Sequence, residues 1–128
     1  MHYRIGTRGS KLALVQSEYV KKRMEEAYPE DTFELVIIKT TGDKVTDKPL
    51  AAIGTKGLFV REIEEELLSG SIDMAVHSMK DMPAECETGL TFAKAWKRED
   101  CRDVLILKTA GSFSELPLGA VIGTGSLR

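Results

Sequence analysis

The chain has only two cysteines, Cys86 and Cys101, and neither sits in a Cys-x-x-Cys pair or near a histidine at ligand spacing. That pattern argues against a zinc site or a redox dithiol, and both residues read as plain reduced thiols. No apolar run approaches the roughly 18 residues that a membrane span requires, and the opening Met1-His2-Tyr3-Arg4 lacks the apolar stretch of a signal peptide. The expectation is a cytoplasmic protein that binds no membrane. An excess of charge is missing too, since 18 Lys and Arg stand against 20 Asp and Glu, a formal net charge of −2. No global positive field exists to hold a polyanion, so nucleic acid is not an expected partner. Neither a Gly-x-x-x-x-Gly-Lys-Ser/Thr loop nor a Gly-x-Gly-x-x-Gly turn after a strand occurs, which disfavours nucleotide binding. A Gly-x-Ser-x-Gly elbow is absent as well, so a serine triad lacks support.

What is present is an ordinary globular composition, with 42% apolar and 30% charged residues in a chain of 128. That length supports one hydrophobic core without disulfides or metals. Tyr3 to Thr7 reads as a strand, Arg8-Gly9-Ser10 as a turn, and Lys11 to Tyr28 as a helix capped by Ser10 and stopped by Pro29. Along that helix Leu12, Val15 and Tyr19 form one ridge, with Ala13, Val20, Met24 and Ala27 beside it, and the stripe is expected in the core. Phe33 to Lys39 is nearly continuously apolar at its centre, which predicts a strand covered on both faces rather than a sheet edge. Thr40 to Gly57 reads as a long mobile loop. Leu58 to Leu68 repeats apolar residues at Phe59, Ile63 and Leu67, predicting a helix that stops at Gly70. Further strands are predicted at Ile72–Val76, Leu90–Ala95, Val104–Leu107 and Ala120–Ile122. Strands alternating with helices imply an α/β fold with a mostly parallel sheet flanked by helices. The last residues, Gly123 to Arg128, read as a strand-exit turn and the start of a helix, from which a longer original protein is expected.

Three polar clusters follow predicted strands directly: Arg8-Gly9-Ser10, His77-Ser78-Met79-Lys80-Asp81, and Thr124-Gly125-Ser126-Leu127-Arg128. In an open α/β sheet such ends face one crevice. Each joins a hydroxyl to a cation, which suits small carboxylates or phosphates. Ser10 and Ser126 also fit plain helix caps, and Arg8 also fits a surface ion pair. Asp81 precedes Met82-Pro83, where a helix does not readily continue, so its carboxylate is the best acid/base candidate, with a turn or cap aspartate as the other reading. His77 fits a hydrogen-bonded structural histidine as well as a proton carrier, and no metal site is expected.

Several ordered segments resemble the amino-terminal part of the porphobilinogen deaminase family along the whole chain. They are Arg4-Ile-Gly-Thr-Arg-Gly-Ser-Lys-Leu-Ala-Leu-Val-Gln16, Thr41-Gly-Asp43, Lys56-Gly-Leu-Phe-Val60, Asp73-Met-Ala-Val-His-Ser-Met-Lys-Asp-Met-Pro83, Arg98-Glu-Asp100, Arg102-Asp-Val-Leu-Ile106 and Gly123 to Arg128. The resemblance implies a three-domain transferase of tetrapyrrole (haem) biosynthesis. Such enzymes join four porphobilinogen molecules into hydroxymethylbilane with release of ammonia, on a dipyrromethane cofactor held through a cysteine of the third domain. The implied fold is type-II periplasmic-binding-protein-like with incomplete domains: residues 1–97 form most of domain one, 98–128 cross over and begin domain two, and domain three is absent.

The family's residues map onto this chain as follows. Asp81 matches the catalytic aspartate. Ser10, Ser78, Lys80, Asp81, Thr124, Ser126 and Arg128 match cofactor contacts. Arg8, Gln16, Lys56 and Phe59 match the substrate side, and Asp43 belongs to the loop over it. The implied partners are porphobilinogen and the growing polypyrrole, and the implied complete enzyme is a monomer. Cys101 stands where proline is usual and Gly125 where serine is common; neither Cys86 nor Cys101 matches the cofactor cysteine, so these 128 residues alone are expected to be inactive. The alternative reading is a non-catalytic module that binds small carboxylates.

Overall fold

A computed structural model describes residues 1–44, 59–109 and 111–125. The chain divides into two compact units, Met1–Lys94 and Ala95–Arg128.

The first unit is built on a parallel sheet of three strands, β1 (His2–Thr7), β2 (Thr32–Ile37) and β3 (Met74–Ala75), in the order β2-β1-β3. β1 is central because it satisfies a ladder on both sides: Ile5 lies opposite Leu35 on one flank and Met74 on the other. Hydrogen bonds from the Asp73 amide to the Arg4 carbonyl and from the Val76 amide to the Gly6 carbonyl extend the β3 pairing by a residue at each end. Helix α1 (Lys11–Ala27) crosses from β1 to β2, a helical turn α2 (Thr41–Lys44) follows β2, and α3 (Arg61–Leu68) precedes β3. Ile5, Phe33, Val60, Ile63 and Ile72 form the buried core. Gly6 lets these pieces close up, since a Cβ there would lie 2.3 Å from Cδ1 of Ile72 and 3.2 Å from Cδ1 of Ile38.

Helix α1 begins as its sequence predicts. The Ser10 hydroxyl accepts from the Ala13 amide at 3.3 Å, and the last turn closes with the Tyr28 amide on the Met24 carbonyl. Its buried face differs from the prediction. The ridge Leu12, Val15, Tyr19 points outward, with Val15 68% exposed, while Ala13, Ser17, Val20 and Met24 turn inward. Small side chains at 13 and 17 allow close approach, and the Ser17 hydroxyl, fully buried, lies 2.6 Å from the buried Thr7 hydroxyl and 2.9 Å from the Ala13 carbonyl. The inward face is thus one of small and medium side chains, and the polar pair buried in it is satisfied.

Other expectations are corrected. β2 is an edge strand of this sheet, with Phe33 buried but Ile37 58% exposed. The segment expected to be loop from Thr40 begins as an ordered helical turn on a buried Thr40, and the rest of that prediction, 45–57, lies outside the described residues. α3 begins at Arg61 rather than Leu58, leaving Phe59 and Val60 in the turn before it, and ends before Gly70, whose φ of 73° suits glycine. The strands expected at Leu90–Ala95, Val104–Leu107 and Ala120–Ile122 do not form. A strand exists only through its neighbour's hydrogen bonds, and these segments have no ladder among the described residues; Ile106 is 91% and Val121 97% exposed. Among its described residues the second unit is irregular, with one short 3₁₀ turn, Phe113–Glu115, held by a reciprocal Ser112/Glu115 capping box. Among the described residues no helix is long and apolar enough to cross a membrane.

Candidate functional site

Parallel pairing puts the carboxyl ends of β1 and β3 on the same edge of the sheet, and both strands exit there into polar turns. A cleft of about 210 Å³ opens between them. The turn after β1 contributes Arg8 and Ser10, α1 contributes Leu12, Ala13 and Gln16, the turn before α3 contributes Phe59, and the exit of β3 contributes Val76, His77, Ser78, Lys80 and Asp81. Seven of the residues singled out in the sequence, Arg8, Ser10, Gln16, Phe59, Ser78, Lys80 and Asp81, therefore share one wall. Thr124 lies in the second unit, while Lys56, Ser126 and Arg128 lie outside the described residues.

Met79–Asp81 forms a single 3₁₀ turn that ends at Met82 in extended backbone, as a residue before proline prefers. The Asp81 carboxylate accepts no hydrogen bond among the described residues, so it is not a helix cap. Instead it stands half-buried on the cleft wall. The Ser78 hydroxyl donates to Oε1 of Gln16 at 2.8 Å, which engages the amide's carbonyl and leaves its NH₂ group as a donor. The Ser10 hydroxyl, an acceptor in its capping bond, keeps its own proton to donate. Lys80 is exposed and makes no ion pair among the described residues. His77, whose part in chemistry was left open by its sequence context, lines the same wall. Burial pushes its pKa below the ordinary 6.5 and the Arg8 charge adds to this, while Asp81 pulls the other way, so the ring is neutral at neutral pH.

Arg8 is not a solvated surface cation. Its Nη2 and Nε donate to Oδ1 of Asp43 at 2.6 and 3.2 Å, and its guanidinium carbon lies 4.0 Å from the centre of the Phe59 ring. Asp43 is held in turn by the Thr40 hydroxyl (2.8 Å) and amide (3.2 Å), both donating to Oδ2. The Thr41 amide donates to Oε1 of Glu62 at 2.7 Å, tying α2 to α3, and Gly42 packs so close under Phe59 that a Cβ there would lie 2.1 Å from the ring. Asp43 in this role is the residue the sequence reading missed. The available signal was the Thr40-x-x-Asp43 spacing of a helix-start capping pattern, which predicts order where a loop was expected.

Burial pushes the Asp43 carboxyl up, but hydrogen bonds from Arg8 and Thr40 and the Arg8 charge outweigh it, so its pKa falls below the ordinary 3.8. A depressed carboxyl pKa contributes stability that is present above the unfolded value and is lost as pH falls through the folded one. The gap in melting temperature between wild type and Asp43→Asn is therefore expected to be widest above pH 3.8 and to close as the solution is acidified below it. A gap that instead grew with acidification would contradict the pairing.

Residues 3–128 match the family model described as porphobilinogen deaminase, dipyromethane cofactor binding domain. The chain is similar to proteins named porphobilinogen deaminase from Lachnospira eligens (94% identical over 128 residues, 100% of this chain and 43% of the relative) and Syntrophus aciditrophicus (58% over 125 residues, 98% and 41%). It is also similar to the one from Clostridioides difficile (57% over 129 residues, 100% and 43%). The chain thus spans less than half the length of these curated relatives.

Proposed function

The chain belongs to the porphobilinogen deaminase family, and from that premise we propose that the complete polypeptide carrying it is a transferase of tetrapyrrole biosynthesis. It joins four porphobilinogen molecules into hydroxymethylbilane, releasing ammonia at each addition, on a dipyrromethane primer. The observation that carries this reading is the cleft itself: a carboxylate that accepts no hydrogen bond among the described residues, Asp81, beside the hydrogen-bond donors of Arg8, Ser10, Gln16 and Lys80 and an apolar wall of Leu12, Ala13, Phe59 and Val76.

This donor set fits pyrroles with acidic arms. Arg8 and Lys80 supply cationic donors, and Ser10 and Gln16 supply neutral ones, for acetate and propionate groups. Asp81 accepts from ring N–H groups, and the apolar side chains cover the ring faces. With about 210 Å³ against the roughly 300–1,000 Å³ of common ligand pockets, the cleft takes one ring with its arms beside Asp81. Ser10, Ser78, Lys80 and Asp81 would hold the dipyrromethane, which when bound supplies the end to which each new unit is attached, while Arg8, Gln16 and Phe59 face the substrate. Thr124, Ser126, Arg128 and Lys56 are assigned to the same ligands on family grounds.

Asp81 performs the central task. When the protonated amino group of porphobilinogen departs as ammonia with the C–N electron pair, the methylene stays on the ring and positive charge spreads over it, the ring and its nitrogen. A fixed carboxylate accepting from that N–H lowers the energy of the developing cation. Arg8 and Lys80 meanwhile hold the acidic arms so that the ring is oriented when charge develops. The neutral His77 beside Asp81 adds no competing positive charge to the site.

The same premise supports a type-II periplasmic-binding-protein-like fold with domain one over 1–97 and domain two starting within 98–128, a monomeric state and a cytoplasmic location. The deciding experiment is incubation of the purified complete polypeptide with porphobilinogen. Consumption with release of one ammonia per unit and formation of hydroxymethylbilane is expected, along with a protein mass above the translated one by a dipyrromethane. Saturable binding without ammonia release would support the carboxylate-binding module and sink the transferase reading.

A further inference from the structure

Arg8 has a partner on its edge, Asp43, and a partner on its face, Phe59. From this arrangement we infer that Asp43 is a positioning residue, which sets the Arg8 guanidinium in the orientation that receives a ligand carboxylate. The inference rests on the functional reading above and adds a residue to it.

A guanidinium carries five N–H donors in one plane. Asp43 takes two of them, from Nε and Nη2, on a single oxygen, and the other oxygen is occupied by the Thr40 hydroxyl and amide. The carboxylate is therefore held at both ends and does not rotate away. Phe59 fixes the tilt of the plane, itself seated on Gly42 of the same helical turn. What remains of Arg8 among the described residues is the Nη1 group and the second Nη2 hydrogen, a pair of donors on one edge, the shape that a carboxylate accepts bidentately. Arg8 and Asp43 are 18% and 24% exposed, so the pair is shielded and less screened than a surface one. An arginine already set in this way loses little side-chain freedom when a ligand arrives.

Two effects of Asp43 oppose each other, and they predict opposite signs. Its negative charge weakens the attraction of Arg8 for an incoming anion, so removing it would tighten binding if charge dominated. Its geometric hold makes Arg8 ready, so removing it weakens binding if orientation dominates. The double anchoring by Thr40 points to orientation. In the complete polypeptide, Asp43→Asn is expected to raise KM for porphobilinogen about tenfold while changing kcat less than about twofold, because Asp81 is untouched. In an Arg8→Ala background the same substitution is expected to change KM no further, and Asp43→Glu is expected to restore part of the loss. Thr40→Val keeps the Asp43 charge but removes its anchor; a KM rise of about threefold is expected there, which keeps the test decisive if Asp43→Asn does not fold.

A KM unchanged or lowered in Asp43→Asn, or an equal loss with and without Arg8, would overturn the positioning role while leaving the transferase reading intact. A wild-type protein inert toward porphobilinogen would overturn the functional reading and this role with it.

Discussion

Asp81→Asn is expected to reduce turnover by about 10²–10³-fold in the complete polypeptide, with no loss of thermal stability. The two halves of that expectation come from one fact: the Asp81 carboxylate takes part in no hydrogen bond among the described residues, so the fold does not use it. The 3₁₀ turn that presents it is closed by backbone bonds, the Asp81 amide on the Ser78 carbonyl and the Met82 amide on the Met79 carbonyl, and by the extended residue before Pro83. Asparagine keeps the size and still offers a carbonyl to a pyrrole N–H, so ground-state binding is largely retained. What disappears is the negative charge facing the cation that forms as ammonia leaves, and the loss should appear in kcat more than in KM. Asp81→Glu, with its charge displaced by one methylene, should fall between the two. Turnover of Asp81→Asn within a factor of a few of wild type would show that the charge is supplied elsewhere.

Ile63→Ala is expected to cost about 2–5 kcal/mol of stability, measured by chemical denaturation, because the side chain is completely buried and the space it leaves cannot close. Ile63 is the apolar anchor of α3, lying against Gly6 of the central strand, where Ile72 also packs. A cavity there loosens the layer that holds α3 on β1 and β3. By contrast Leu68→Ala, on the same helix but 51% exposed, should change stability by no more than about 0.5 kcal/mol. Loss at Ile63 has a second consequence: Glu62 next to it holds the Thr41 amide, and Phe59 lies two residues before the helix. Destabilising α3 therefore also disturbs Arg8 through Asp43 and Phe59. Equal effects at Ile63 and Leu68 would refute this account of the core.

What could be read from the residues is what depends on near neighbours in the chain. The Ser10 cap, the extent of the first helix, the Gly70 stop and the turn before Pro83 each rest on hydrogen bonds or backbone preferences spanning four residues or fewer. The clusters Arg8 to Ser10 and His77 to Asp81 were legible because a parallel sheet sends its carboxyl ends to one edge wherever its strands begin. The family match rests on segments of the same local kind. The structure alone decided the rest. The apolar centre of β2 predicts an interior strand, yet among the described residues it lies at the edge, because a strand's place depends on which segment bonds to its other side. The apolar spacing of Leu12, Val15 and Tyr19 predicts a core ridge, yet these three are exposed and Ala13, Ser17 and Val20 turn inward instead. Asp43 was read as part of a loop, and only folding brings it 2.6 Å from Arg8, 35 positions earlier. Contacts between residues far apart in the chain come from packing, whose energy depends on everything that covers a side chain, and no local pattern contains that information.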